Sequence, residues 1–124
     1  MLGTKLSQTA EGALRVETKW PVTINLAQLE VAAENTVLTY AAELKALELS
    51  GAAYLEMWVH LPGEKGGWYF SRGLDNQLTK AGEWKNFSTP FMLKAGQAAD
   101  KVTLNLVIKG AGVVLMRNAK LSQP

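Results

Sequence analysis

The residues able to do chemistry concentrate between Ala53 and Asp75, in A-Y-L-E-M-W-V-H-L-P-G-E-K-G-G-W-Y-F-S-R-G-L-D. This stretch holds the only histidine of the chain, His60, together with Trp58, Trp68 and Arg72. Period-2 alternation sets Tyr54, Glu56, Trp58 and His60 on one face of a strand, with Ala53, Leu55, Met57, Val59 and Leu61 on the other. An aromatic ring supplies an apolar wall, and Glu, His, Arg or Asn beside it supply directional hydrogen bonds. That pairing suits a small polar ligand with C–H surfaces and hydroxyls. The competing reading packs Trp58 under a loop and makes His60 a strand-end cap. Arg72 has two readings as well: a fork for a ligand hydroxyl or carboxylate, or a structural ion pair with Glu56 across a hairpin.

Catalysis and metal binding have less behind them. A Ser–His–Asp machine would have to use His60, and no nucleophile elbow accompanies it. Glu56 and His60 share a face but sit about 13 Å apart along a strand, too far for one ion with bonds of ~2 Å. Glu43 and Glu56 are the pair that might approach across a cleft, as any two exposed acids might. The expectation is no enzyme, no cofactor and no metal. With no cysteine in the chain, disulfides and thiolate metal sites are excluded.

The elements that must position these residues are short strands. Turn signals recur at Glu11-Gly12, Trp20-Pro21, Glu34-Asn35, Ser50-Gly51, Pro62-Gly63, Gly66-Gly67, Ala81-Gly82, Ala95-Gly96 and Gly110-Ala111-Gly112. Strands are predicted over 13–19, 22–26, 53–61, 67–72, 85–93, 101–109 and 113–121. Pro90 places the 85–93 strand at an edge or a bulge. The segment 36–44 conflicts internally, because Ala41 to Leu49 has helical composition while Leu38, Tyr40, Ala42 and Leu44 alternate. It lacks an N-cap residue, so strand is preferred there and 46–51 is read as loop. The 53–61 and 67–72 strands form a hairpin around Pro62-Gly63-Glu64-Lys65-Gly66. Around Gly110-Ala111-Gly112 a second hairpin is expected, pairing 101–109 with 113–121. Of Trp68 and Tyr69, one is expected to face solvent and the other the core.

The chain has 124 residues, 48% apolar and 19% charged, which fits one folded domain with a single core. Residues 1–11 read as an N-terminal extension and 12–122 as a β-sandwich of two antiparallel sheets. The opening residues contain no apolar signal-peptide core, and no run near 18 apolar residues suggests a membrane span. Net charge is +2, with cations scattered from Lys5 to Lys120 and no stripe for a phosphate backbone. Neither nucleic acid nor membrane is expected as a partner.

The C-terminal half, G-E-W-K-N-F-S-T-P-F-M-L-K-A-G followed by K-V-T-L-N-L-V-I-K-G-A-G-V-V-L-M-R-N-A-K-L, resembles jelly-roll carbohydrate-binding modules and galactose-binding-like domains. The opening G-A-L-R-V-E resembles their first strand. The resemblance spans roughly Gly12 to Leu121 and implies a jelly roll that binds carbohydrate on a sheet face. On this reading the ligand residues are Tyr54, Glu56, Trp58, His60, Tyr69, Arg72 and Asn105, while Trp84 and Phe91 pack the core. Many of these domains place an Asp pair that holds calcium where this chain has Arg117 and Asn118, so the calcium site is not carried over. An alternative uses the same aromatic face for homodimerisation or partner binding.

Overall fold

The computed structural model describes residues 3–64 and 66–124. Lys65 of the expected hairpin loop, and Met1 and Leu2 of the expected extension, lie outside the described residues. The described chain is built from strands: β1 (Thr4–Gln8), β2 (Leu14–Thr18), β3 (Val22–Glu34), β4 (Val37–Ser50), β5 (Ala53–Leu61), β6 (Gly67–Arg72), β7 (Lys85–Met92), β8 (Ala98–Ile108) and β9 (Ala111–Ser122). They form two antiparallel sheets, ordered β1-β2-β9-β4-β7 and β3-β8-β5-β6. Inward side chains of both sheets, among them Val16, Leu44, Leu55, Met57, Leu106 and Val114, make one core. The architecture is the expected all-β sandwich.

The alternation of β5 is as expected: Ala53, Leu55, Met57 and Val59 are buried in the core, and Leu61 packs at its margin. In β8, Val102, Leu104, Leu106 and Ile108 do the same. Tyr40 of β4 lies fully buried between the sheets, and its hydroxyl donates to the Asn105 carbonyl of β8 at 3.1 Å. Burial pushes the Tyr40 phenol well above its ordinary range, which keeps it a protonated donor. Pro90 falls in β7 at a sheet edge, where a missing N–H breaks no ladder bond.

Four expectations are corrected. The residues read as a loop at 46–51 largely continue β4, which runs to Ser50 between β7 and β9. Its inward alternation holds from Leu38 to Ala46; an extra residue opposite β9 between Ala46 and Glu48 then shifts it and leaves Leu47 half-exposed. Similarly, β3 runs on to Glu34 instead of stopping near Leu26, because two register shifts hide the later alternation. Of the extension, residues 4–8 form β1 antiparallel to β2.

The fourth correction concerns the C-terminal hairpin. β8 and β9 do not pair: the turn at Gly110 carries the chain from one sheet to the other. A Cβ on Gly110 would stand 1.8 Å from the Ser50 carbonyl oxygen, so glycine is required by close approach. The same glycine-rich signal serves a tight hairpin or a sheet-to-sheet crossing equally well.

Candidate functional site

The outward face of the β3-β8-β5-β6 sheet is assembled by register. Arg72 of β6 lies opposite Glu56 of β5, which faces Asn105 of β8, which faces Asn25 of β3. The next row is Phe70, Trp58, Thr103 and Gln28, and the one after it Trp68, His60, Lys101 and Glu30. The first row is polar and internally bonded. The other two change from aromatic on β6 to hydroxyl, amide and charged groups on β8 and β3.

Glu56 is the hub of the first row and is 6% exposed. Arg72 Nε donates to its Oε2 at 2.7 Å, while Asn105 Nδ2 and Trp58 Nε1 both donate to Oε1 at 2.9 Å. Asn25 Nδ2 extends the chain by donating to Asn105 Oδ1 at 3.0 Å. Burial alone would raise the Glu56 pKa. The hydrogen bonds from Arg72, Asn105 and Trp58, with the guanidinium charge, outweigh burial and hold the carboxyl below its ordinary value. A carboxylate so held is poorly suited to general-acid work. Its role here is to fix Trp58 and Arg72 in place.

Arg72 is the ion pair of the two readings, and it is also a stacking partner. Its guanidinium carbon stands 4.0 Å from the Phe70 ring centroid and 5.8 Å from that of Trp58. Trp58 and Phe70 lie 5.2 Å apart at a tilt of 56°, and His60 and Trp68 4.9 Å apart at 50°. His60 Nδ1 pairs with Asp100 Oδ1 at 2.6 Å, and that hydrogen bond holds the Asp100 carboxyl below its ordinary value.

The seven residues expected at the site divide three ways. Trp58, His60 and Arg72 come together and remain accessible. Tyr54, Glu56 and Asn105 share the face but are buried at 5–7% exposure, so they support the surface and do not form it. Tyr69 does not join them: it pairs with Val59 and projects from the opposite side of the sheet. Tyr69 and Arg72 are three positions apart, an odd offset, and on a regular strand that puts them on different faces. The same parity identifies Trp68 and Phe70 as the missing members, both about half-exposed. Trp68 and Tyr69 are therefore both exposed, against the expectation that one enters the core.

The other sheet offers less for an apolar ligand surface. A groove of about 660 Å³ crosses its outer face between Ala41, Glu43, Asn86, Ser88, Asn118 and Lys120. No aromatic ring faces it from the outer side of β4, β7 or β9 there. Glu43 accepts from Arg117 Nη2 at 3.0 Å and from Asn118 Nδ2, and those bonds hold its carboxyl below its ordinary value. Arg117 in turn stacks on Trp84 at 4.0 Å, so Trp84 is only partly buried, while Phe91 packs against the core. Arg117 brings a cation to the position where the resemblance implies calcium, and the donor set does not fit that ion. Among the described residues no group of three His, Asp or Glu side chains is placed to hold a metal. Glu43 and Glu56 lie on the outer faces of different sheets and cannot act as a pair.

No family model matches the chain, and no curated protein matches it. Solved structures do. A second module of family 16 carbohydrate-binding modules superposes with a TM-score of 0.66 at 13% identity, over 98% of this chain and 87% of that one. The CBM22-1 xylan-binding domain of Paenibacillus barcinonensis Xyn10C gives 0.61 at 16% identity, over 99% and 83%. A chain of infectious bursal disease virus, Gt strain, gives 0.56 at 18%, covering 97% of this chain and 32% of the viral one. One architecture thus serves sugar binding and a virus particle, and likeness at this identity speaks for fold. The chain is a jelly-roll β-sandwich with the fold of carbohydrate-binding modules.

Proposed function

We propose that the protein is a non-catalytic carbohydrate-binding module whose ligand lies on the outer face of the β3-β8-β5-β6 sheet. The observation that carries this reading is the graded face itself. Trp58, Trp68 and Phe70 gather at the β6 side, and Thr103, Lys101 and Gln28 continue the same rows on β8 and β3. A sugar ring lies with its C–H surface against the indoles, and its hydroxyls meet the polar half. The Glu56 hub holds Trp58 and Arg72 before any ligand arrives, which lowers the ordering cost of binding. The charged side chains of the face alternate in sign (Arg72 with Glu56, Lys101 opposite Glu30), which favours a neutral glycan over a strongly charged one.

The test is a glycan-array screen followed by titration calorimetry on wild type, Trp58→Ala and Trp68→Ala, with circular dichroism confirming folded protein. Selective glycan binding that weakens by about tenfold or more in each variant is the expected result, as for removal of a binding anchor. Binding undiminished in both variants would place the ligand elsewhere. Silence of the wild type across the array would remove the carbohydrate reading.

A further inference from the structure

The two sheets expose four edge strands, and three of them carry features that discourage a neighbouring strand. β1 has only five residues and includes Lys5. β7 has Pro90 within it and Lys85 at its start, and β3 has two register shifts and two glutamates, Glu30 and Glu34. β6 is also short, at six residues ending in Arg72, but it has no proline and no register shift. From Gly67 to Ser71 it contains no charge and no proline, and its register with β5 is unbroken. Trp68, Tyr69 and Phe70 follow one another at 45%, 43% and 50% exposure.

The free backbone groups of this edge can be identified. Gly73 N–H donates to the Leu55 carbonyl at 2.9 Å, continuing the β5–β6 register. Hydrogen-bonded pairs alternate along an antiparallel ladder, so Ser71 and Tyr69 direct their N–H and C=O toward β5. Trp68 and Phe70 direct theirs away from it. Among the described residues no loop or turn bonds to these outward groups.

We propose that β6 pairs antiparallel with β6 of a second copy about a two-fold axis at Tyr69, joining two four-stranded sheets edge to edge. In this register Trp68 faces the second copy's Phe70, Gly67 faces Ser71, and the two Tyr69 residues meet. No like charges oppose one another, and aromatic pairs directly across strands are favourable. The short, uncharged, self-complementary seam selects a second copy as the occupant. The seam is smaller than the ~1,200–2,000 Å² of a stable interface, so the dimer is weak, with a Kd on the order of 100 µM. The axis stands perpendicular to the sheet, so both ligand faces lie on one side. A polysaccharide then meets two sites at once, which raises avidity without a new contact. This goes beyond the proposed function, and its test needs no glycan.

Sedimentation velocity from about 5 to 500 µM, a range bracketing that weak interface, is run on wild type and Tyr69→Lys. Tyr69 projects away from the Trp58 face, so the substitution spares that face while opposing two like charges across the seam. A wild-type monomer–dimer equilibrium weakened about tenfold or more in the variant is expected. Amide exchange adds an independent readout: Trp68 and Phe70 amides gain protection as concentration rises, whereas Tyr69 and Ser71 amides are protected throughout. A wild type that stays monomeric at the top of the range overturns the proposal. So does a dimer that survives Tyr69→Lys intact, or one in which the Trp68 and Phe70 amides still exchange freely. If the dimer forms and no glycan binds, the carbohydrate reading alone falls.

Discussion

At the scale of the residue, Glu56 decides most. It is buried, it accepts three side-chain hydrogen bonds, and the donors are the groups that shape the ligand face. Glu56→Gln keeps the shape but removes the charge and turns one carboxylate oxygen into an NH2 donor, so either Arg72 at Oε2 or both donors at Oε1 lose their acceptor. Urea denaturation should show a loss on the order of 2–3 kcal/mol. The sign of its pH dependence follows from the direction of its shift. Because the folded pKa lies below the unfolded value, the stabilisation is present above about pH 4.3 and is lost as pH falls through the lower folded value. Melting temperature should therefore drop in acid, and Glu56→Gln should flatten that drop. Asp100 contributes in the same direction from the surface.

At the scale of the element, strand edges and crossings determine what the face looks like. β5 was readable because nothing interrupts its alternation, and its partner β6 was readable once the parity of Arg72 was respected. β3 and β4 were not fully readable, because the extra residues in them, two along β3 and one between Ala46 and Glu48 of β4, move the side chains beyond to the other face. Gly110 marks where β8 leaves one sheet for the other. Gly110→Ala would drive a methyl group into the Ser50 carbonyl, forcing backbone to move. Thermal denaturation should report a destabilisation of about 1–3 kcal/mol, the cost of overpacking a tight site. A melting temperature unchanged by the substitution would mean that this crossing has slack.

At the scale of the whole molecule, the two outer faces have different characters. One carries the aromatic rows; the other carries the small-residue groove and the Trp84–Arg117–Glu43–Asn118 cluster. That cluster satisfies Glu43 with nitrogen donors, and a cation stands where a calcium ligand is implied by resemblance. Chelator should therefore leave the melting temperature where it is, measured by differential scanning fluorimetry with and without added calcium. A fall with chelator that calcium restores would show that the sandwich holds an ion after all. Tyr40 crosses between the sheets to the Asn105 carbonyl, directly beneath the polar row, so core and ligand face share a residue.

The amino-acid sequence by itself determined the fold class, the inward face of β5 and β8, the restriction of Pro90 to an edge or a bulge, and the face on which Trp58, His60 and Arg72 meet. Those features follow from local alternation and from proline's missing donor, which need no knowledge of neighbours. Sequence also held the means to replace Tyr69 by Trp68 and Phe70, since strand parity is a local rule. Tertiary structure alone decided the rest. Whether the Gly110 turn closes a hairpin or carries the chain between sheets depends on which strands flank it. Whether Tyr54, Glu56 and Asn105 touch solvent depends on what packs over them. A segment of helical composition became the second half of β4 because β9 pairs along it as far as Ser50, while β7 flanks it only to Leu44.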